Sequence, residues 1–270
     1  MSRLNRRVLF TSGAAAALLS ATGVSLQARP QRGGHLRIAV APSDTGVLPI
    51  AHRAVFETLT EIAPDGVLRG RLATDWSTNE TAQSWHLTLR DQVRFHDGST
   101  CDAAAIAACL DPEALGARRI EAAGPTSLLI ELQTGDPQLP YALADANLAL
   151  RSATGSGTGL YRTERESPGR SFLGHRVDRH YRDGEAGWAD TVEIIAFSSS
   201  AVRTEALRDG YVDIAELPLS DDMDESAALR FGPASGDAVF AAHASVGLPA
   251  FPLGFEASVK TQIAERSWLT

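Results

Sequence analysis

His96 and Asp97 lie just ahead of Cys101, and His175 and His180 follow further along. Imidazole, carboxylate and thiol are the usual donors to a transition metal, but these spacings fit no standard zinc pattern. Strand alternation sets His96 on a polar face, and Asp97-Gly98 reads as a turn. Ser198-Ser199-Ser200 has none of the flanking glycines of a nucleophile elbow, and reads as the cap of a helix starting at Ala201. Gly155 to Gly159 could aim backbone N–H groups at a ligand, yet no Lys-Ser or Lys-Thr follows, so it is not a phosphate-binding P-loop. Its glycines suit a crossing of the chain between lobes, where unusual backbone angles are needed. Asp44, Thr45 and Gly46 end the first strand, where open α/β sheets place their ligands, and read either as cleft lining or as a solvated loop. These residues form no catalytic constellation, and none implies a metal or cofactor.

Hydrophobic periodicity predicts the strands and helices that carry these residues. His35–Ala41 alternates around Leu36, Ile38 and Val40 and predicts a strand. Pro49 to Ile62 predicts a helix, with Ile50, Val55, Leu59 and Ile62 near one face. In Trp85–Asp97, Trp85, Leu87 and Leu89 alternate with polar residues, Asp91-Gln92 interrupts, and Val93 and Phe95 alternate again. This predicts a two-stranded hairpin with Trp76, Trp85 and Phe95 as core. Asp102 is placed to cap a helix over Ala103–Leu110 that Asp111-Pro112 ends. Leu128–Leu132, Ser171–Val177, Val192–Phe197 and Val212–Ala215 read as strands, Pro137–Leu150 and Ala201–Asp209 as helices, and Ser152–Gly159 as a loop. From Asp221 onward the pattern weakens, and Phe231–Gly236 is loop-like. Strands alternating with helices, with tight hairpins among them, imply an α/β body built on a mixed sheet.

Composition bounds the partners. Of the 270 residues 44% are hydrophobic and 21% charged, an ordinary globular balance. The net charge is −8, and the stretch 1–28 holds three Arg and no acid, so the remainder has 22 basic against 33 acidic side chains, a net of −11. An acidic body argues against nucleic acid or an anionic membrane as partner. Cys101 and Cys109, eight apart on a helix, would stand roughly 12 Å apart along its axis, beyond the ~7 Å reach of a disulfide, so two buried thiols are expected. Residues 1–28 read as an export signal. Arg3, Arg6 and Arg7 precede an apolar small-residue run, and Arg6-Arg7-Val8-Leu9-Phe10 has the twin-arginine form.

Four segments, in order, resemble one family: the extracytoplasmic solute-binding proteins of peptide and nickel ABC importers, family 5. Phe56-Glu57-Thr58-Leu59 through Gly70-Arg71-Leu72-Ala73-Thr74-Asp75-Trp76 is similar to its opening helix and "LA..W" strand. Leu87 to Gly98 resembles its LR-x-G-V-x-F-H-D-G motif, Gly157-Thr158-Gly159-Leu160-Tyr161 its GTGPY loop, and Tyr181 with Ala206 to Ala215 its "YW … AL-x-x-G-x-x-D" segment. Gln92, Ala105, Leu160 and Arg182 depart from that pattern, standing where the family has Gly, Asp, Pro and Trp.

The resemblance implies an α/β, periplasmic-binding-protein-like lobe with a mixed sheet over 29–216, with the second lobe largely missing. Residues 217–270 would be a remnant of that lobe or the completion of the first. It implies a non-enzymatic periplasmic substrate-binding component of an ABC importer for peptides or similar small solutes. Asp44, Thr45, Gly46, Gly157, Thr158, Gly159 and Tyr161 would line the ligand site. The partners implied are the solute, the importer's membrane subunits, and a second copy or accessory protein that completes the cleft. The alternative is a degenerate scaffold acting as an accessory or interaction module without transport binding.

Overall fold

The computed structural model describes residues 32–218 apart from 44, 47, 64 and 65, together with 229–233 and 238–243. The export-signal reading of 1–28 and the acidic cluster at 221–225 lie outside the described residues.

Strand β1, His35–Val40, is the centre of the larger sheet. It pairs in parallel with β10 (Thr191–Ala196) on one side and β11 (Ile214–Pro218) on the other. Buried on both faces, it lacks the strict alternation of a half-exposed strand. Leu36, Ile38 and Val40 face the core that holds helix α1 (Pro49–Val55), while Ala39 joins the opposite core of Leu207, Val212 and Ala215. That second face is covered by helix α4 (Ser200–Arg208), whose N-cap Ser199 accepts from the Val202 N–H. Two more antiparallel strands, β9 (Ser171–Arg176) and β8 (Tyr161–Ser167), extend the sheet beyond β10. Beyond β11 come β13 (Ala238–His243) and then β12 (Leu229–Pro233). The sheet is therefore mixed and seven-stranded, in the order β12-β13-β11-β1-β10-β9-β8.

Between α1 and β8 the chain leaves this sheet and builds a second layer. β2 (Thr60–Ile62) and β3 (Leu68–Gly70) form a small ribbon. β4 (Ala73–Thr78), β5 (Ser84–Leu89), β7 (Ser127–Leu132) and β6 (Ala117–Gly124) form an antiparallel sheet in that spatial order. Alternate residues Trp85, Leu87, Leu89 and Leu128, Ile130, Leu132 bury one face against helix α2 (Ala103–Cys109) and against Leu59, Leu72, Leu139 and Leu143. Asp102 caps α2 as its sequence implies, accepting from the Ala105 N–H at 2.9 Å. Phe95 and Trp85 are buried in this core and Trp76 packs at its margin. Cys101 is buried and Cys109 half-buried, both as free thiols.

Four expectations are corrected. Val93–Asp97 is not the second arm of a hairpin with Trp85–Leu89, because β5 pairs with β4 and β7 instead. β7 offers Leu128 and Ile130 to the same core face, and Gln92, at φ +60°, turns the chain away after Asp91. Val93 to Cys101 then folds on itself, with the Phe95 N–H donating to the Ser99 carbonyl and the Cys101 N–H to that of Val93. The helix predicted to Ile62 stops at Val55, whose carbonyl accepts from the Gly159 N–H at 2.8 Å, and Thr60 to Ile62 pair as a strand. Over Pro137–Leu150 only a one-turn helix α3 (Leu139–Ala142) and the 3₁₀ turn Ala146–Leu148 form, since the Asp136 and Asp145 carboxylates hold the Gln138 and Asn147 N–H groups in local turns. Finally, Phe231–Gly236 is not wholly loop, because 231–233 lie within β12.

Candidate functional site

Register fixes where the candidate ligand residues sit. His35 of β1 pairs with Thr191 of β10, and Thr191 with His175 of β9. Arg162 of β8 pairs with His175 as well, so Tyr161 and Arg176 mark the same end of the sheet as His35. At the other end Val40 pairs with Ala196, Ile195 with Ser171, and Ser171 with Ser167. Thr45 and Gly46 belong to this second end, where Gly169 of the β8–β9 turn lies so near Gly46 that a Cβ on Gly169 would stand 3.1 Å from its Cα. The strand length between the two ends is roughly 20 Å at about 3.3 Å per residue. The structure thus brings Gly157, Thr158, Gly159 and Tyr161 together, and Thr45 with Gly46 elsewhere; Asp44 lies outside the described residues.

At the second end the strands β1 and β10 finish at their carboxyl edges. The Ala41 N–H donates to the Glu216 carboxylate at 3.0 Å, tying the exit of β1 to β11. Ser43 and Thr45 hydroxyls bond each other at 2.8 Å, and the Gly46 N–H donates to the Ser43 carbonyl at 3.1 Å. Thr45 is exposed. The result is a compact loop with a hydroxyl-bearing rim above the ends of two parallel strands, a position able to present polar groups to a ligand.

At the first end the glycine loop is held by a buried ionic cluster. Gly157 and Gly159 pass so close to α1 that a Cβ would lie 2.0 Å from the Val55 carbonyl oxygen and 2.3 Å from that of Ala54. Only glycine permits that approach. Between them Thr158, 2% exposed, donates its hydroxyl to Glu57 at 3.0 Å. The Glu57 carboxylate, 0% exposed, also accepts from Arg71 Nε at 3.0 Å and Tyr181 Oη at 2.6 Å, and His180 Nε2 lies 3.6 Å from it. Arg71 reaches Glu61 at 2.6 Å as well. Burial alone would push the Glu57 carboxyl up, but the Arg71 guanidinium and the hydrogen bonds from His180 and Tyr181 hold it well below the usual carboxylate range. Burial and the same carboxylate push the Tyr181 phenol up. Arg90 lies over the Tyr181 ring at 4.4 Å and donates to the Arg71 carbonyl.

The remaining chemistry-bearing residues are engaged locally. His96 Nε2 donates to the Gly159 carbonyl at 2.7 Å, and burial lowers its pKa. Asp97 accepts from the hydroxyls of Ser99, Ser152 and Thr154, which hold its carboxyl well below its ordinary value. Tyr161, 0% exposed, donates to the Ala189 carbonyl at 3.0 Å. His175 pairs with Glu164 across β8 and β9. Ser198–Ser200 leads into α4, with Ser199 as its cap. Among the described residues no group of three or more His, Cys, Asp or Glu side chains is arranged to hold a metal. The cluster of Glu57, Arg71, His180 and Tyr181 was not singled out by sequence reading. Glu57, Arg71 and Tyr181 do stand within the segments that carry the family resemblance, and His180 is among the candidate metal donors, but they are far apart in sequence.

The family described as "Bacterial extracellular solute-binding proteins, family 5 Middle" matches residues 67–233. Among solved structures, the chain is similar to the PBP AgaA from A. tumefaciens R10 in complex with agropinic acid, at 23% identity and a TM-score of 0.64 over 73% of this chain and 47% of that one. It is similar to a nickel ABC transporter protein from Bacillus halodurans at 23% identity and a TM-score of 0.63, over 73% and 46% of the two chains. It is also similar to the ABC transporter-associated periplasmic binding protein DppA from Helicobacter pylori, in complex with the peptide STSA, at 16% identity and a TM-score of 0.64 over 78% and 52%. The chain spans about half the length of these structures.

Proposed function

The chain belongs to the bacterial extracellular solute-binding proteins of family 5, and from that premise we propose that it is the substrate-binding component of an ABC-type importer, taking peptides or similar small solutes. The observation that carries this reading is the family match over 67–233, which falls on the described lobe. Likeness to proteins solved with agropinic acid and with a peptide supports a small polar organic solute. The role is binding without catalysis, in the periplasm, with residues 1–28 as the export signal.

In this proposal the solute sits at the carboxyl ends of β1 and β10, against the loop containing Asp44, Thr45 and Gly46. Gly157, Thr158, Gly159 and Tyr161 serve the site from a distance, by fixing α1 and β8 to the second layer. The described lobe supplies one wall of the cleft. A wall facing it raises burial of the solute toward that of an ordinary ligand pocket.

Thermal melting of the purified protein across di- and oligopeptides, opines and nickel complexes tests the proposal. A ligand at 100 times its Kd stabilises by about 2.7 kcal/mol, which for a chain of this size is a rise in Tm of roughly 5–10 °C. No shift with any member of the panel, in a protein that melts cooperatively, points instead to a scaffold that has lost transport binding.

A further inference from the structure

A cleft of about 230 Å³ opens at the first end of the main sheet, away from the Thr45–Gly46 loop. It lies where the turn after Val93, the glycine loop, β8 and the segment following β9 meet. Its charged lining runs against the acidic character of the chain: Arg94, Arg162, Arg176 and Arg179 face one carboxylate, Asp178. Arg176 is spoken for. Its guanidinium pairs with Asp183 at 2.5 Å and donates to the Gly187 carbonyl, and its side chain is buried. Arg94, Arg162 and Arg179 are exposed and form no ion pair among the described residues. Arg94 is steadied by donating from Nη1 to the Gly98 carbonyl at 3.0 Å, which leaves its other N–H groups for a ligand.

We infer that this cleft binds a small oxyanion, a phosphate or a carboxylate group, held by the guanidinium groups of Arg94, Arg162 and Arg179. Three guanidinium groups in one concavity repel each other, and an anion relieves that repulsion while matching their planar donor forks. The lining supplies the rest of a polar shell. His96 and His180 donate from Nε2 to the Gly159 and Thr158 carbonyls, and His180 Nδ1 accepts from the Arg182 N–H, so both rings are fixed in place. Asp178 sets the limit: with Arg176 neutralised, the excess is two positive charges, which suits a mono- or dianion. The site is separate from the solute cleft proposed above and stands or falls without it.

The test is thermal melting of the purified full chain in inorganic phosphate, in succinate, and in sodium chloride matched for ionic strength. At 10 mM anion and a Kd near 1 mM, the expected rise over chloride is about 3 °C. A response to phosphate alone assigns a phosphoryl ligand, and a response to succinate alone assigns a carboxylate. The double substitution Arg162→Gln with Arg179→Gln, on two exposed side chains, should abolish the rise while keeping the wild-type circular dichroism spectrum. Arg94→Gln tested alone should reduce the rise. Equal melting in all three salts overturns the inference, as does a rise that persists undiminished in the double variant.

Discussion

Replacing Arg71 by Met would leave the Glu57 carboxylate buried without its guanidinium while nearly preserving side-chain length. Glu57 is 0% exposed and Arg71 12% exposed at the side chain, so the pair is poorly screened. Without Arg71, Thr158 and Tyr181 still donate to the carboxylate, but its main countercharge is gone. The carboxyl then folds in its protonated form. Holding a Glu neutral at pH 7 costs about 3.7 kcal/mol relative to an unfolded pKa of about 4.3, which agrees with the ~3–5 kcal/mol typical of breaking a buried pair. The pH dependence follows from the signs. In the wild type Glu57 has a lowered folded pKa, so its contribution is present above the unfolded value and is lost as pH falls. In Arg71→Met the folded pKa is raised, so the penalty grows as pH rises. The gap between the two proteins therefore narrows on acidification, to about 1 kcal/mol at pH 5. With a urea dependence of ~2 kcal/mol per molar, the midpoint should drop by roughly 2 M at pH 7 and by less than 1 M at pH 5. Adding Glu57→Gln to Arg71→Met should recover much of the loss. A penalty under about 1 kcal/mol at pH 7, or one equal at both pH values, would refute the reading of Glu57 and Arg71 as a buried pair that folds ionised.

Four further outcomes are expected. Gln92→Gly should stabilise, because Gln92 sits at φ +60° where a side chain costs about 1–2 kcal/mol; the entropy of glycine takes back part of that, and Tm should rise by about 2 °C. Gly159→Ala drives a Cβ to 2.3 Å from the Ala54 carbonyl oxygen, with backbone on both sides, and should cost about 3 kcal/mol or more by urea unfolding. Asp102→Ala removes the cap of α2 and should cost about 1 kcal/mol in the same assay. The Cys101 thiol, buried and pushed up to about 12 by burial, should resist iodoacetamide at pH 8 in the folded protein and react only in denaturant, as read by peptide mass spectrometry.

What could be read from the residues, and what could not, divides on physical lines. β1, β7 and β10 were legible because apolar side chains dominate them and turn residues bound them. Helices α2 and α4 were legible because Asp102 and Ser199 announce their starts. β6 was missed, since Ala117–Gly124 is rich in Ala, Arg and Glu and is a strand only because β7 presents an unpaired edge to it. The hairpin at Trp85–Asp97 was misread for the opposite reason. Its alternation is real, but the partner that satisfies β5 lies some forty residues downstream, and periodicity carries no information about which strand pairs with which. The glycine loop was recognised by its motif, while the close approach that requires its glycines was not legible, because the carbonyls of Ala54 and Val55 that forbid a side chain are distant in sequence. The same holds for the basic cleft, whose arginines come from the turn after Val93, from β8 and from the segment after β9.

Hydrogen–deuterium exchange with and without a pool of di- and oligopeptides reports both whether solute binds to this lobe and where. Exchange should slow in peptides spanning 41–46, 167–170 and 197–199, at the carboxyl ends of β1 and β10, with 157–161 protected equally in both samples. Protection that appears only around 157–161, or no change anywhere in a folded protein, would contradict the proposed solute site.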